Sequence, residues 1–159
     1  MIRTLTTFDF DALLGEAARS PRRRAIYRLH EHEEPVQRML NAMLPGTYVQ
    51  PHKHEAPDKV ELFCILVGQV AVLEFNTAGN VESLTRLSAH GLQRIVEIAP
   101  RTYHTLIPLE KAVLLEIIEG PYDAQTHKKP APWAPEEGHP QAADYRMVLE
   151  SLVHKWRGA

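Results

Sequence analysis

The stretch "PGTYVQPHKHEAPDKVELFCILVG", residues 45–68, sets His52 and His54 one residue apart and then places Glu61 inside an apolar run. A carboxylate buried alone costs several kcal/mol, so Glu61 needs a partner. His52 and His54 differ by two positions, and in an extended segment both side chains leave the same face. Glu61 shares strand parity with Phe63, Ile65 and Val67 and points toward the interior they fill. Between them, "EAPDKV" is long enough to fold back as a loop and bring Glu61 beside the two histidines. His104, in "APRTYHTLIP", follows a proline turn and opens another strand, which makes it the candidate third nitrogen ligand. Three neutral imidazoles and one carboxylate suit one divalent metal ion (Fe, Mn, Ni, Co or Zn) and leave one or two positions open for water or substrate.

Outward from this stretch the chain is rich in short β runs. "VQRMLNAML", "TYVQ", "VELFCILV", "QVAVLEF", "VESLTRL", "LQRIVEI" and "AVLLEII" are separated by Gly, Pro and Asn signals at sandwich or barrel spacing. Both parities of several runs are apolar, which implies burial on two faces, as in a small closed barrel or a two-sheet sandwich. Gly68-Gln69 suits a tight hairpin and "NTAGN" a longer one. Before this core, Phe10, Leu13, Leu14 and Ala17 recur at helical spacing, and "SPRRR" (20–24) offers a serine cap and first-turn proline for a second short helix. After Gly120 the chain turns proline-rich, with Tyr122 and Trp133 as residues to pin it to the surface. A last helix then places Tyr145, Val148, Leu149, Leu152 and Trp156 on one face, to pack on the barrel exterior or on a partner subunit. The expected organisation is a single domain over 1–159: a helical segment at 1–35, a barrel at 36–120, and a Pro-rich extension with a C-terminal helix at 121–159.

At 159 residues the chain is long enough to bury a core without disulfides, and its one cysteine, Cys64, excludes an internal one. A formal charge of −2 gives no bulk attraction to nucleic acid or anionic membrane. No stretch approaches the roughly 20 apolar residues of a membrane span, and the N-terminus lacks a signal-peptide pattern. These features fit a cytoplasmic protein.

The residues of the opening stretch resemble the cupin motif. Gly46 precedes His52 by five intervening residues, and Glu61 precedes Gly68 by six. The six residues between His54 and Glu61 exceed the usual three or four. The second cupin motif is matched less closely: Gly91 and His104 are its candidate ends, but Pro100 lies nine residues after Gly91, and Thr102 stands where glycine is usual. The segments at 37–54 and 119–138, after "SPRRR…LH", resemble one branch more closely, the WbuC-family cupin-fold metalloproteins. That resemblance implies a mainly β fold, the cupin double-stranded β-helix or jelly-roll barrel with N-terminal and C-terminal helices. It also implies one divalent metal and an association with surface-polysaccharide biosynthesis.

Cys64 is one parity step from Glu61 and reads as a small buried hydrophobe, with a thiolate role as the alternative. His30 and His32 in "LHEHEE" read as a solvated polar turn or a second metal site. The arginines at 22–24 read as a wet helix face or a phosphate site. His154, Lys155 and Arg157 suit the dipole at a helix end. Tyr48 and Gln50 share parity with the histidines and are expected to line the substrate cavity. Arg38 and Tyr103 are weaker candidates for the same role, and Tyr48 or Tyr103 for acid/base work. The functional reading is a metal-dependent enzyme of isomerase or epimerase type acting on a small oxygenated substrate such as a sugar derivative. The alternatives are an Fe(II) dioxygenase and a non-catalytic metal- and ligand-binding protein. A homodimer is compatible with the last helix.

Overall fold

Period-two burial along the apolar runs resolves into two five-stranded sheets in a computed structural model that describes residues 2–156. Helix α1 (Thr7–Arg19) precedes strands β1 (Arg24–Arg28), β2 (Val36–Met43), β3 (His52–Lys53) and β4 (Glu61–Val67). Then follow β5 (Gln69–Phe75), β6 (Val81–Ser88), β7 (Ile95–Ile98), β8 (Tyr103–Pro108), β9 (Ala112–Glu119), β10 (Lys129–Pro130) and helix α2 (Ala142–Lys155). One sheet runs β1-β2-β9-β4-β7 and the other β10-β3-β8-β5-β6, and the recorded pairings are antiparallel.

Between the sheets, Phe63, Ile65, Val70, Val72, Leu106 and Leu114 form an interdigitated core. The opposite parity also meets apolar cover. Leu40, Ala42 and Val113 turn outward under α1, which contributes Leu13, Leu14 and Ala17. On the other sheet, Leu73, Phe75, Tyr103 and Ile107 turn outward under α2 and the proline-rich segment. The two-faced burial expected from composition thus has a source: each sheet is covered once by its partner and once by a helix.

Three local expectations are corrected. "SPRRR" does not start a helix: Ser20 ends α1, a turn follows, and Arg24 opens β1 against β2. Gly68 is a corner between sheets, since β4 and β5 belong to different ones, whereas Asn76–Asn80 does close the β5–β6 hairpin. On α2 the packed face is Tyr145, Leu149, Leu152 and Val153, while Val148 is 61 % exposed. That helix packs within its own chain. Arg157 lies outside the described residues. We expect Leu149→Ala to lower the unfolding free energy by about 3 kcal/mol, and Val148→Ala to change it by less than about 0.5; denaturant titration of the two variants checks this.

Candidate metal centre

Sheet geometry brings the four expected ligands to one point. His52 in β3 sits opposite His104 in β8, and His54 follows two residues on. Glu61 opens β4 in the facing sheet. The loop 55–60 absorbs its extra length by anchoring outward: Asp58 pairs with Arg101, and Lys59 donates to the Pro121 carbonyl at 2.8 Å. The candidate ligand atoms of the four residues lie within 4.8 Å of one another, and all four side chains are buried. Among the described residues they are the one group of His, Cys, Asp and Glu close enough to share an ion.

Each imidazole is oriented from behind. Nδ1–H of His52 donates to the Gln50 carbonyl at 3.0 Å, that of His54 to the His127 carbonyl at 2.6 Å, and that of His104 to the Thr102 carbonyl at 3.0 Å. A carbonyl only accepts, so Nδ1 carries a proton, and in the neutral form each ring turns a bare Nε2 inward. Thr102 acts through its backbone, which explains why a non-glycine residue serves at that position of the second motif. Burial, then the neighbouring His104, holds His52 well below the ordinary histidine range, consistent with a neutral ligand.

The inward nitrogens meet another acceptor. Glu61 Oε2 lies 2.9 Å from His104 Nε2 and 3.3 Å from His54 Nε2. Despite that approach, His104 Nε2 has no aligned hydrogen-bond partner and is shut off from solvent. Lone pairs brought this close repel one another unless a proton or a metal cation lies between them, and, against the effect of burial, the charge of Glu61 raises the His104 pKa. The donor set therefore fits a divalent metal, with three ring nitrogens and one carboxylate oxygen.

A cavity of about 420 Å³ opens from this centre, lined at its depth by His52, Glu61 and Glu116. Glu116 was not expected from the sequence. It interrupts the apolar run "AVLLEII" as Glu61 interrupts "VELFCILV", so the same reasoning applied to β9 finds it. Register places Glu116 opposite Phe63 and Glu61 opposite Ile118, making the two carboxylates diagonal neighbours on one face. Asn41 Nδ2 donates to Glu116 Oε2 at 2.6 Å, and burial, then the charge of Glu61, pushes the Glu116 carboxyl well above the usual carboxylate range.

None of Tyr48, Gln50, Arg38 and Tyr103 lines this cavity. Tyr103 precedes His104 by one residue, so β8 turns it to the outer face, where it packs near Trp133. Arg38 likewise takes the outward parity of β2 and pairs with Glu34, leaving Gln37, Met39 and Asn41 facing in. The segment carrying Tyr48 and Gln50 is irregular, so strand alternation does not apply, and Val49 is the residue that reaches the cavity. Tyr48 Oη donates to the Pro135 carbonyl at 2.6 Å and Gln50 Nε2 to that of Ala134 at 3.1 Å. Cys64 faces away from Glu61, as expected. His30 is not solvated: it is 8 % exposed, lines the cavity, and holds its Nδ1 against the Arg38 backbone, 2.6 Å from the carbonyl oxygen and 2.8 Å from the amide nitrogen. His32 is at the rim, its ring 4.7 Å from that of Tyr122.

The proline-rich segment crosses the cavity mouth as a strap. Trp133 packs on Phe75, and Glu137 receives hydrogen bonds of 2.7 Å from both Arg22 and Arg24. Burial opposes the Glu137 charge, but the two arginines outweigh it and hold the carboxyl at about 2. A depressed folded-state value means stability present above the ordinary value of 4.5 and lost as pH falls toward 2. Solvent screens this partly exposed pair, so we expect about 1 kcal/mol. Acid titration of stability should show wild type losing that amount between these limits relative to Glu137→Gln.

With the geometry in place, comparisons with known proteins bear on the fold. A family model described as "Domain of unknown function (DUF6016)" matches residues 5–87. No curated protein matches the chain. Among solved structures, the capsular polysaccharide assembling protein CapF from Staphylococcus aureus is 18 % identical with a TM-score of 0.53, over 65 % of this chain and 30 % of CapF. TT1209 from Thermus thermophilus is 20 % identical with a TM-score of 0.51, over 63 % of this chain and 86 % of that one. A cupin superfamily protein from Desulfitobacterium hafniense is 16 % identical with a TM-score of 0.49, covering 60 % of this chain and 76 % of its own. At such identities the likeness speaks to fold alone, a mainly β jelly roll of two antiparallel sheets flanked by two helices. No helix of the described residues is long and apolar enough to cross a membrane.

Proposed function

From the premise that the chain belongs to the family described as a domain of unknown function (DUF6016), we propose that it is a metal-dependent enzyme of isomerase or epimerase type acting on a small sugar derivative. The observation that carries this reading is a second buried carboxylate, Glu116, facing the same cavity as the metal ligands His52 and Glu61. A structural metal needs only its ligands; a carboxylate beside the centre, fixed by Asn41 yet open to the cavity, is placed for proton transfer.

His52, His54, Glu61 and His104 would hold a divalent ion, which would supply Lewis acidity toward a substrate carbonyl or hydroxyl oxygen. Glu61 is engaged as a ligand. Glu116 is placed to take or return a proton at a substrate carbon in the cavity, and Asn41 fixes the orientation of its carboxyl. Phe63, Leu106 and Met43 give the cavity apolar walls that exclude bulk water. The resemblance to WbuC-family metalloproteins, and a CapF likeness in which the named protein assembles capsular polysaccharide, support a substrate from surface-polysaccharide building blocks. The single cysteine supports a cytoplasmic setting. Self-association as a homodimer is part of the proposal, supported by the edge strand β1 with Ile26 and Tyr27 exposed.

Metal-loaded protein incubated in D₂O with aldoses, ketoses and their acid derivatives should catalyse C–H exchange read by proton NMR. Glu116→Gln should keep its metal and lose at least about 100-fold in exchange rate. Exchange at the wild-type rate in that variant sinks the assigned role. Oxygen consumption by iron-loaded protein without exchange transfers the reading to an Fe(II) dioxygenase.

A further inference from the structure

The chain is net negative, yet the rim of the metal cavity is cationic. Arg22 at the head of β1, Arg24 and Arg28 within it, and Lys128 on the strap all line it. Glu137 offsets part of this charge, but one carboxylate serves both Arg22 and Arg24, and it binds them from outside the cavity. Arg24 is only 13 % exposed at its side chain, and its remaining bond goes to the Tyr48 carbonyl at 2.7 Å. Arg28 and Lys128 have no ion-pair partner among the described residues. Lys128 keeps solvent contact, yet the protein packed around it first, and the charge of Arg24 next, hold it below the ordinary lysine range, so Lys128, Arg24 and Arg22 crowd one another. Its charge also reaches His52 and Glu116, which line the cavity, and His104 behind them.

Uncompensated like charges around a cavity weaken the fold unless something anionic enters. We propose that the cavity selects an anionic small molecule, whose carboxylate or phosphate seats on Lys128 and Arg28 while an oxygen at its other end faces His52 and Glu61. Arg24, pinned by Tyr48 and Glu137, adds fixed positive potential behind that seat. The inference rests on the proposed sugar-derivative reading and narrows it to sugar acids or sugar phosphates.

D-glucose, D-glucuronate and D-glucose 6-phosphate share a ring and differ at one end, so they separate charge from sugar recognition. Calorimetric titration of the metal-loaded full chain at low salt should show a charged probe binding at least about 10-fold tighter than glucose. The preference should shrink as sodium chloride is added. Preference for glucuronate assigns a carboxylate, and preference for the phosphate a phosphoryl group. Inorganic phosphate should compete with either. Lys128→Ala and Arg28→Ala each alter an exposed residue; with unchanged unfolding midpoints, each should weaken the charged probe about 5- to 10-fold and leave glucose unaffected. Equal affinity for all probes, no binding of any including phosphate, or indifference to both substitutions overturns the proposal. Parallel elemental analysis keeps the two readings separate. Anion preference without retained metal sinks the metal reading alone, and retained metal without anion preference sinks this one alone.

Discussion

His104→Ala protein, purified without added metal, is expected to carry less than about a tenth of the divalent ion found in the wild type. Removing a group that merely orients a ligand typically costs about 10- to 100-fold in metal affinity, and this change deletes a ligand outright. The His104 ring fills a site with 1 % exposure, and alanine supplies no replacement donor. Glu61, itself 3 % exposed, then loses both the ion and its nearest nitrogen. An uncompensated buried charge of this kind costs about 3 kcal/mol, so the variant should also unfold more readily. Tyr103→Phe is the matched control, because its ring faces the opposite side of β8 and should leave metal content unchanged. Elemental analysis of both proteins decides the matter. Wild-type metal content in His104→Ala would remove the centre as drawn.

Gly68→Ala should be among the most damaging single-atom changes in the barrel. Gly68 adopts φ +73° where the chain leaves one sheet for the other, a conformation that costs a residue with a Cβ about 1–2 kcal/mol. A Cβ at this position would lie 2.1 Å from the Lys111 carbonyl oxygen, a backbone atom that cannot rotate away. Together these effects should lower stability by about 3 kcal/mol or more, seen as a large fall in the denaturant midpoint. Gly138 makes the contrast: its φ is +89°, but no atom lies within 4 Å of an added Cβ, so Gly138→Ala should cost only the conformational part. Comparable losses in both variants would show that the close approach at Lys111 contributes nothing.

The buried cluster of His52, His54 and Glu61 was legible because its signal is local: an H-x-H pair in one extended segment, and a carboxylate where burial is demanded. Glu116 carries the same signal, a charge amid apolar residues, but has no histidine beside it to draw attention. Tyr103 and Arg38 failed for a different reason. A residue one or two positions from a site residue can point away from it, and only the strand frame tells which. Tyr48 and Gln50 sit in irregular backbone, where alternation gives no frame at all. The rim cations were visible in part as "RRR", but their helical reading hid a strand opening at Arg24, in which Arg24 and Arg28 share a face and the turn before it brings Arg22 to the same rim. Lys128 joins them from more than a hundred residues away, through a segment whose course composition could not fix.

The His54 ring is steadied by a carbonyl that arrives 73 positions later in the chain. During synthesis, the earlier ligands can be made and even paired while that carbonyl is still missing. Completion of the four-residue cluster is accordingly a closing event of maturation, available only when the crossing segment has settled, and a nascent fragment ending before it would present His54 without the carbonyl that orients it.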